Sequence, residues 1–388
     1  ITMMQGYFET GNQDMVVFDA FYRENPCNGG YAIAAGLEQV IEYIKTLQFS
    51  TDDIRYLRSL NIFNEEFLKY LSTFRFSGSI YAVPEGSVMF PREPFIKVIA
   101  PIMEAQLVET AILNIVNHQS LIATKASRVC YAAKGDGVME FGLRRAQGPD
   151  SGIYGARAAI IGGCCGTSNV LTGQMFNVPV KGTHAHSWIM SFKDEYTAFK
   201  TYAELYPDAC ILLIDTYDTL KSGLPNAIRV FREMKEAGIE LHNYGIRLDS
   251  GDLAYLSKKV RKELDAAGFP DAIISASNDL DEHLIENLKI QGATITSWGV
   301  GTNLITSKDC PAFGGVYKLA AIQTEDGSFI PKIKLSENTE KITNPGNKTF
   351  YRIYEKETGK IKADLICLAD ETFDPKKDLL LFDPNATW

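Results

Sequence analysis

The chain has 388 residues, of which 45% are hydrophobic and 22% are charged, a composition typical of globular proteins with two or three domains. The net charge of −9 argues against nucleic acid or an anionic membrane as the main partner, because both bind basic surfaces. Seven cysteines are an odd number, which does not suit a disulfide framework and favours a cytoplasmic location. No apolar stretch is long enough to span a bilayer.

The first hundred residues predict a mixed domain of strands and helices. Gly and Pro punctuate its apolar stretches, which indicates turns between short elements. The predicted elements are a strand over 15–21, helices over 31–47 and 51–70, and short antiparallel strands between 77 and 98. A long, mostly apolar helix follows over 101–133, and His118 within it is interpreted as a core residue.

The central part of the chain alternates regularly between apolar strands and helices, which predicts parallel β/α units. In barrels built from such units the active site lies at the carboxyl ends of the strands. The predicted strands are 138–144, 159–164, 177–180, 209–215, 241–247, 272–277 and 293–298, with clear helices over 225–237 and 253–267.

The alternation stops after Gly314-Gly315. The predicted antiparallel strands from there are 316–322, 332–335, 348–354 and 362–368, and we expect them to return to the sheet of the N-terminal residues. We therefore predict one domain formed by 1–100 with 314–388, and a catalytic β/α barrel formed by 101–313.

Each strand of the predicted barrel ends in residues suited to binding or catalysis. These ends are FGLRR (141–145), GTSN (166–169), GTHAH (182–186), DTYDT (215–219), RLDSGD (247–252), SND (277–279) and GVGTN (299–303). A single such end is explained by an ordinary turn. Seven ends on one face, two of the chain's five histidines (His184 and His186) among them, favour an active site.

The residue types at these ends suit a substrate with phosphate groups. Glycine and hydroxyl residues before helices, as in Gly166-Thr167-Ser168 and Gly299–Thr302, expose backbone N–H donors to phosphate oxygens. Arg247 adds a guanidinium fork for phosphate, and Asp249 and Asp252 can hold Mg²⁺ or ribose hydroxyls.

A second group of residues suits an aromatic ring that carries an anion. Arg144 and Arg145 can each bind a carboxylate through two hydrogen bonds. Phe141 can stack on an aromatic ring, although a core position would also explain it.

Taken together, FGLRRAQG, GTSNVLTG, GTHAHSW, GIRLDSGDL and GVGTNL resemble the motifs of nicotinate phosphoribosyltransferases, as does NPCNGGYAIAAGLEQVIEYI near the N-terminus. The resemblance implies a type II phosphoribosyltransferase fold, an irregular β/α barrel with an α/β sandwich domain formed from both chain ends. It implies a reaction of NAD biosynthesis that joins nicotinate to phosphoribosyl pyrophosphate, gives nicotinate mononucleotide and pyrophosphate with Mg²⁺, and is coupled to ATP hydrolysis through a phosphohistidine. It also implies a homodimer with active sites near the subunit interface.

The resemblance assigns roles to individual residues. The candidate catalytic residues are His186 as the phosphohistidine, Arg247 and Asp249; the candidate substrate-binding residues are Phe141, Arg144, Thr167, Ser168, Thr183, Ser277, Asn278, Gly301 and Thr302. Phe141 and Arg144 match the nicotinate side, and Asp249, Gly301 and the Ser277 loop match the phosphoribosyl side. No dedicated set of protein metal ligands is assigned. Because the chain opens without methionine and relatives extend past both of its ends, we expect it to be part of a longer protein.

Three alternatives remain open. Nicotinamide and quinolinate phosphoribosyltransferases share the fold, but relatives that use nicotinamide carry an acidic residue where Ser168 stands, so we expect the acid as substrate. A His-x-His motif at a barrel strand end is also typical of metal hydrolases, which need further histidines and a carboxylate at other strand ends. A non-catalytic phosphosugar-binding barrel would leave His186 unexplained.

Overall fold

The computed structural model describes residues 1–338, 341–374 and 376–380. The chain divides into two compact units, of which the first combines Ile1–Asn117 with the chain from Phe313 onward and the second is His118–Ala312. The first boundary falls within a helix, so that residues 101–117, which the sequence analysis gave to the barrel, belong to the first unit.

The helices and strands of the first unit alternate without a fixed repeat. The helices are α1 Thr2–Glu9, α2 Leu37–Thr46, α3 Thr51–Ser59, α4 Glu65–Ser72, α5 Ile102–Leu107 and α6 Glu109–Ala132, which continues into the second unit. The strands are β1 Met15–Tyr22, β2 Ala32–Ile33, β3 Ser79–Ala82, β4 Val88–Met89, β5 Ile96–Pro101, β12 Gly315–Gln323, β13 Phe329–Pro331, β14 Lys348–Tyr354 and β15 Ile361–Leu368.

A five-stranded sheet in the order β13-β12-β1-β5-β3 forms the centre of the first unit. Strand β1 is buried from Val16 to Tyr22 and pairs antiparallel with β5 on one side and β12 on the other. The C-terminal part of the chain thus supplies a direct neighbour of β1. Within β1, the carboxylate of Asp19 is buried and forms an ion pair with Lys348, whose Nζ lies 2.6 Å from Asp19 Oδ2.

Several predicted elements of the first unit are wrong in detail. The helix predicted from residue 31 begins only at Leu37, because Gly36 has a φ of 102° and residues 32–33 form β2. The helix predicted over 51–70 is two helices, since Asn61 has a φ of 55° and the side chain of Asn64 caps the second. The helix predicted over 101–133 is also two helices, α5 and α6. Residues 332–335 form no strand, and β14 and β15 pair with each other in a separate two-stranded sheet instead of joining the sheet that contains β1.

The second unit consists of parallel strands connected by helices. Its strands are β6 Gly137–Glu140, β7 Gly166–Thr167, β8 Cys210–Leu213, β9 Tyr244–Leu248, β10 Ile273–Ala276 and β11 Ser297–Val300. Its helices are α7 Pro149–Ile161, α8 Val170–Phe176, α9 His186–Met190, α10 Glu195–Leu205, α11 Leu224–Glu236, α12 Leu253–Ala266, α13 Glu282–Ile290 and α14 Thr302–Ile305.

The six strands form one parallel sheet in the order β7-β6-β11-β10-β9-β8. Beyond β7, Thr167 makes a single parallel bridge to Val180. The strands are short and their side chains are mostly buried, as expected for a parallel sheet covered by helices. Because the strands are parallel, all their carboxyl ends lie along one edge of the sheet.

Two predicted strands of the second unit are corrected. Residues 159–161 belong to helix α7, whose Pro149 stands at a helix start and whose buried residues, apart from Arg157, are glycine and alanine. The run at the end of this helix, residues 158–161, is short and apolar, so its periodicity does not distinguish it from a buried strand. Residues 177–180 contribute only the bridge at Val180.

The described residues hold no helix with the length and hydropathy that a membrane span requires. None of the seven cysteines, all of which lie among the described residues, is in a disulfide bond.

Candidate active site

The predicted strand-end motifs lie side by side along the carboxyl edge of the parallel sheet. Read across the sheet from β7 to β8, the residues that follow the strands are Ser168, Phe141, Gly301, Ser277, Asp249 and Asp215. The sheet order therefore groups Ser168 and Phe141 at one end and Asp249 and Asp215 at the other.

Arg247 is the centre of a network at the β9 end of this row. Its Nε donates to Ser277 Oγ at 2.8 Å, its Nη2 to Asp249 Oδ1 at 2.9 Å and its Nη1 to Thr183 Oγ1 at 2.6 Å. The Ser277 hydroxyl also donates to Asp249 Oδ1. Four of the residues that the sequence analysis selected, from three separate motifs, are thus joined by hydrogen bonds.

Asp249 remains ionised in this network. Burial acts to raise the pKa of its carboxyl group, but hydrogen bonds from Ser277 and Arg247, together with the charge of Arg247, outweigh burial and leave the pKa below its usual value. Its side chain is 31% exposed, so that part of the carboxylate faces solvent. An ionised, accessible carboxylate beside an arginine can share a metal ion with a bound anion.

His186 lies at the first position of α9 and pairs with a carboxylate that the sequence analysis did not select. His186 Nε2 is 3.1 Å from Asp215 Oδ1, and the Asp215 side chain is only 1% exposed. Asp215 Oδ2 accepts from the backbone N–H of Asp249 at 2.9 Å and from Ser250 Oγ at 2.6 Å. Asp215 therefore connects His186 to the turn that carries Asp249.

The partners of Asp215 determine the tautomer of His186. An ionised carboxylate only accepts hydrogen bonds, so His186 Nε2 carries the proton and donates it. In an uncharged ring of this tautomer the lone pair is on Nδ1. The His186 side chain is 39% exposed, so a ligand can reach it.

Phe141 lies at the other end of the row, directly after β6. Its backbone N–H donates to Val300 O at 2.8 Å, which extends the pairing of β6 with β11. Its ring covers the backbone of Gly299, where an added Cβ would lie 2.7 Å from Phe141 Cδ2. An added Cβ at Gly301 would lie 3.2 Å from Phe141 O. The glycines of the GVG motif thus make room for this aromatic residue.

A buried carboxylate that the sequence analysis did not select joins the ends of β6 and β7. Glu140 is fully buried, and it accepts a hydrogen bond from Thr167 Oγ1 at 2.6 Å and another from the backbone N–H of Gly142. Burial raises the pKa of Glu140, while these two hydrogen bonds oppose the rise. Thr167 is also fully buried, so its hydroxyl serves this connection, and a contact with substrate stays a prediction.

The remaining selected residues lie at or near the surface. Ser168 is exposed, and its backbone N–H donates to Glu140 O at 3.1 Å. Arg144 is exposed in a short 3₁₀ turn and makes no hydrogen bond or ion pair with the described residues. Asn278 is exposed with a φ of 97°, and Thr302 is half-buried at the start of α14. These four residues are accessible enough to contact a ligand, and their roles in binding stay predictions.

Sequence reasoning missed Asp215 and Glu140 for different reasons. Asp215 lies two residues after strand β8 and opens the DTYDT motif, so its place near the strand end was recognisable although its partner was not. Glu140 gave a weaker signal, a lone acidic residue within an apolar strand. Among the residues that the structure describes, no group of three or more His, Cys, Asp or Glu side chains is arranged to hold a metal ion.

Comparison with known proteins agrees with this arrangement. Models of the nicotinate phosphoribosyltransferase N-terminal domain, family and C-terminal domain match residues 1–117, 137–343 and 347–388. A nicotinate phosphoribosyltransferase of Bacillus subtilis is 51% identical over 100% of this chain and 78% of its own length. The chain belongs to the nicotinate phosphoribosyltransferase family.

Solved structures of relatives agree with the architecture. The crystal structure of human nicotinic acid phosphoribosyltransferase matches with a TM-score of 0.82 and 31% identity, over 96% of this chain and 81% of the human chain. A nicotinate-nucleotide pyrophosphorylase from Pyrococcus furiosus, at 24% identity and a TM-score of 0.72 over 96% of this chain and 82% of its own, shares the fold. The expected type II phosphoribosyltransferase fold, with its partial barrel of parallel strands, is confirmed.

Proposed function

We propose that this protein is a nicotinate phosphoribosyltransferase of NAD biosynthesis, which forms nicotinate mononucleotide and pyrophosphate from nicotinate and phosphoribosyl pyrophosphate. The 51% identity to the Bacillus subtilis enzyme over the whole chain carries this proposal. The two groups of residues along the sheet edge support it, because an aromatic and cationic end and a phosphate-binding end suit the two substrates.

The chemistry of the reaction requires positioning more than acid–base catalysis. The lone pair of the pyridine nitrogen attacks C1 of the ribose while the bond from C1 to the pyrophosphate oxygen breaks. No proton has to be removed from the pyridine nitrogen, so the protein must align the two substrates and stabilise the leaving pyrophosphate. Phe141 can stack on the pyridine ring, and Arg144 and Ser168 can bind its carboxylate.

Arg247 and Asp249 suit the phosphoribosyl end. Arg247 has an arginine fork for phosphate, already oriented by Thr183, Ser277 and Asp249. Mg²⁺ is usually held by one or two carboxylates together with substrate phosphates rather than by a full protein site. The ionised carboxylate of Asp249 fits that role, and the ion would neutralise charge on the departing pyrophosphate.

We further propose that ATP is a co-substrate and phosphorylates His186. In this step Nδ1 forms a bond to the γ-phosphorus, the bond between that phosphorus and its bridging oxygen breaks, and ADP leaves with the electron pair. Asp215 holds the proton on Nε2, which keeps Nδ1 free to attack and stabilises the positive charge that develops on the ring. Water later hydrolyses the phosphoramidate and regenerates the imidazole. The homodimer and the cytoplasmic location stay predictions.

A single assay tests the function. The purified protein is incubated with phosphoribosyl pyrophosphate, Mg²⁺ and either nicotinate, nicotinamide or quinolinate, with and without ATP, and the mononucleotides are separated. We expect nicotinate mononucleotide as the main product and a gain with ATP. Equal efficiency with nicotinamide, or product only from quinolinate, would overturn the substrate assignment. Zinc-dependent hydrolysis without mononucleotide formation would favour the hydrolase alternative.

A further inference from the structure

The segment that carries His186 crosses from one edge of the parallel sheet to the other. At its start, Lys181 N donates to Thr167 O of β7 at 2.9 Å, next to the bridge at Val180. Three residues later, His184 meets β8, the strand at the opposite edge. The few residues from 181 to 184 thus connect the two edges of the described sheet.

His184 replaces a missing neighbour strand at β8. The backbone N–H of Leu213 points away from β9 and donates to His184 Nε2 at 3.3 Å, where a further strand would offer a carbonyl oxygen. A backbone donor needs an unprotonated ring nitrogen, so His184 is the tautomer with its proton on Nδ1. Burial lowers the pKa of His184 to about 4, with a smaller contribution from the charge of Arg247 and against a hydrogen bond to the backbone of Ala185, so the ring is neutral at pH 7.

The contacts of His184 and His186 are in register along the strand. His184 contacts Leu213, and His186 contacts Asp215, so a step of two residues on the segment matches a step of two residues on the strand. Arg247 Nη1 holds the same segment from β9, through Thr183 Oγ1 at 2.6 Å and the His184 carbonyl at 3.4 Å. A slip by one residue would break all of these contacts.

The His184 ring is held from its other side by α10. It is 8% exposed and lies 4.6 Å from the ring of Tyr202 and 6.3 Å from that of Phe199, measured between ring centroids. Aromatic packing alone would be satisfied by phenylalanine. The hydrogen bond to Leu213 would not, and a buried N–H without a partner is costly.

We propose that His184 is a positioning residue that fixes the register of Thr183–His186 along β8 and so holds the imidazole of His186 against Asp215. The inference rests on the proposed role of His186 as the phosphoryl acceptor.

The test uses a matched pair of variants. His184→Phe keeps the packing against Tyr202 and loses the acceptor, whereas His184→Gln offers an amide oxygen close to the position of Nε2. The chain has five histidines, so long-range ¹H–¹⁵N spectra of protein labelled in histidine resolve each ring and its tautomer. We expect His186 of the parent protein and of His184→Gln to show a proton on Nε2, and His184→Phe to show a mixture of tautomers.

The second readout is phosphorylation by ATP labelled in its γ-phosphate. We expect His184→Phe to lower the rate of labelling at saturating ATP on the order of tenfold, with unchanged affinity for ATP, and His184→Gln to restore it. His118→Phe is the control, because His118 is a half-buried histidine bonded to Ser151 outside this segment. An unchanged His186 spectrum in His184→Phe would overturn the positioning role. No label in the parent protein would instead refute the phosphohistidine, while the spectra would still decide the register claim.

Discussion

Replacing Asp215 by asparagine tests the chemistry assigned to His186 most directly. The change keeps the size of the side chain and removes one charge. In the parent protein Asp215 accepts three hydrogen bonds, from His186, from the backbone N–H of Asp249 and from Ser250. Asparagine has only one acceptor oxygen, and two of the three donors, Asp249 N and Ser250 Oγ, lie at Oδ2. We expect the amide oxygen to remain there and the NH₂ group to face His186.

The consequence for His186 follows from the donors and acceptors. An NH₂ group can only donate, so Nε2 must become the acceptor and the proton moves to Nδ1. The nitrogen that attacks ATP is then protonated. Loss of a charge-assisted hydrogen bond alone costs about 1.5–3 kcal/mol, or a factor of roughly 10–150 in the rate of phosphorylation. In the Asp–His pair of serine proteases, an inverted tautomer lowers the catalytic rate by about 10⁴. We therefore expect Asp215→Asn to lower the rate of phosphorylation by roughly 150-fold or more.

The assay is rapid-quench labelling by γ-labelled ATP, with the product isolated under alkaline conditions because phosphoramidates are labile in acid. Asp218→Asn is the matched control, since it removes the same charge from the same loop, where the Asp218 side chain caps the turn at Leu220 and Lys221, lies 3.8 Å from Lys221 Nζ and has no bond to His186. We expect the control to be labelled at the parent rate and label in the parent protein to reside on Nδ1. Parent-like labelling in Asp215→Asn, or label on Nε2, would refute the reasoning.

Three further predictions concern the two ends of the site and the first unit. Arg144→Ala should raise the KM for nicotinate, and Arg247→Ala should raise that for phosphoribosyl pyrophosphate by roughly 10–150-fold; the same kinetic defect in both variants would contradict the assignment. Ser168→Asp should lower kcat/KM for nicotinate relative to that for nicotinamide, by a factor that corresponds to about 2–4 kcal/mol. If competition assays gave the same ratio of the two kcat/KM values as in the parent protein, Ser168 would have no role in recognising the nicotinate carboxylate. Burial and, second in size, the hydrogen bond with Asp364 raise the pKa of Glu93 from its ordinary 4.5 to about 8. Between these two pH values the folded state holds a proton on Glu93 that the unfolded state has lost, so the free energy of unfolding decreases as pH rises from about 4.5 to about 8. Melting temperatures of Glu93→Gln should therefore fall less than those of the parent protein between pH 5 and 9, and parallel curves would refute this.

The positions of most site residues could be predicted from sequence because they follow a local rule. Residues at the carboxyl ends of strands, or directly after them, in a β/α alternation lie at one edge of a parallel sheet. Arg247, Asp249 and Ser277 were selected on that rule, and the structure joins them by hydrogen bonds. Strand β14 was predicted with its observed bounds, since its apolar residues stand between charged turns.

The partners of these residues could not be predicted, because each partner is distant in sequence. Glu140 meets Thr167 across 27 residues, and His186 meets Asp215 across 29. The end of helix α7, residues 159–161, was mistaken for part of a strand. These residues belong to a short apolar run, in which a helix cannot be told from a buried strand by its periodicity.

The two histidines of the motif have opposite hydrogen-bonding roles, and their partners explain the difference. His184 accepts from a backbone N–H, and His186 donates to a carboxylate, although both contacts are to β8 and its continuation. His184 is 8% exposed and neutral, which suits a fixed acceptor, whereas the His186 side chain is 39% exposed, which suits a group that reacts with a ligand. A ring nitrogen is a donor or an acceptor according to its neighbour. Residue type and spacing alone therefore do not distinguish the two histidines as candidates for phosphorylation. Their partners do, because Leu213 N–H makes His184 a hydrogen-bond acceptor that holds the segment, and Asp215 makes His186 a donor whose other nitrogen can act as the nucleophile.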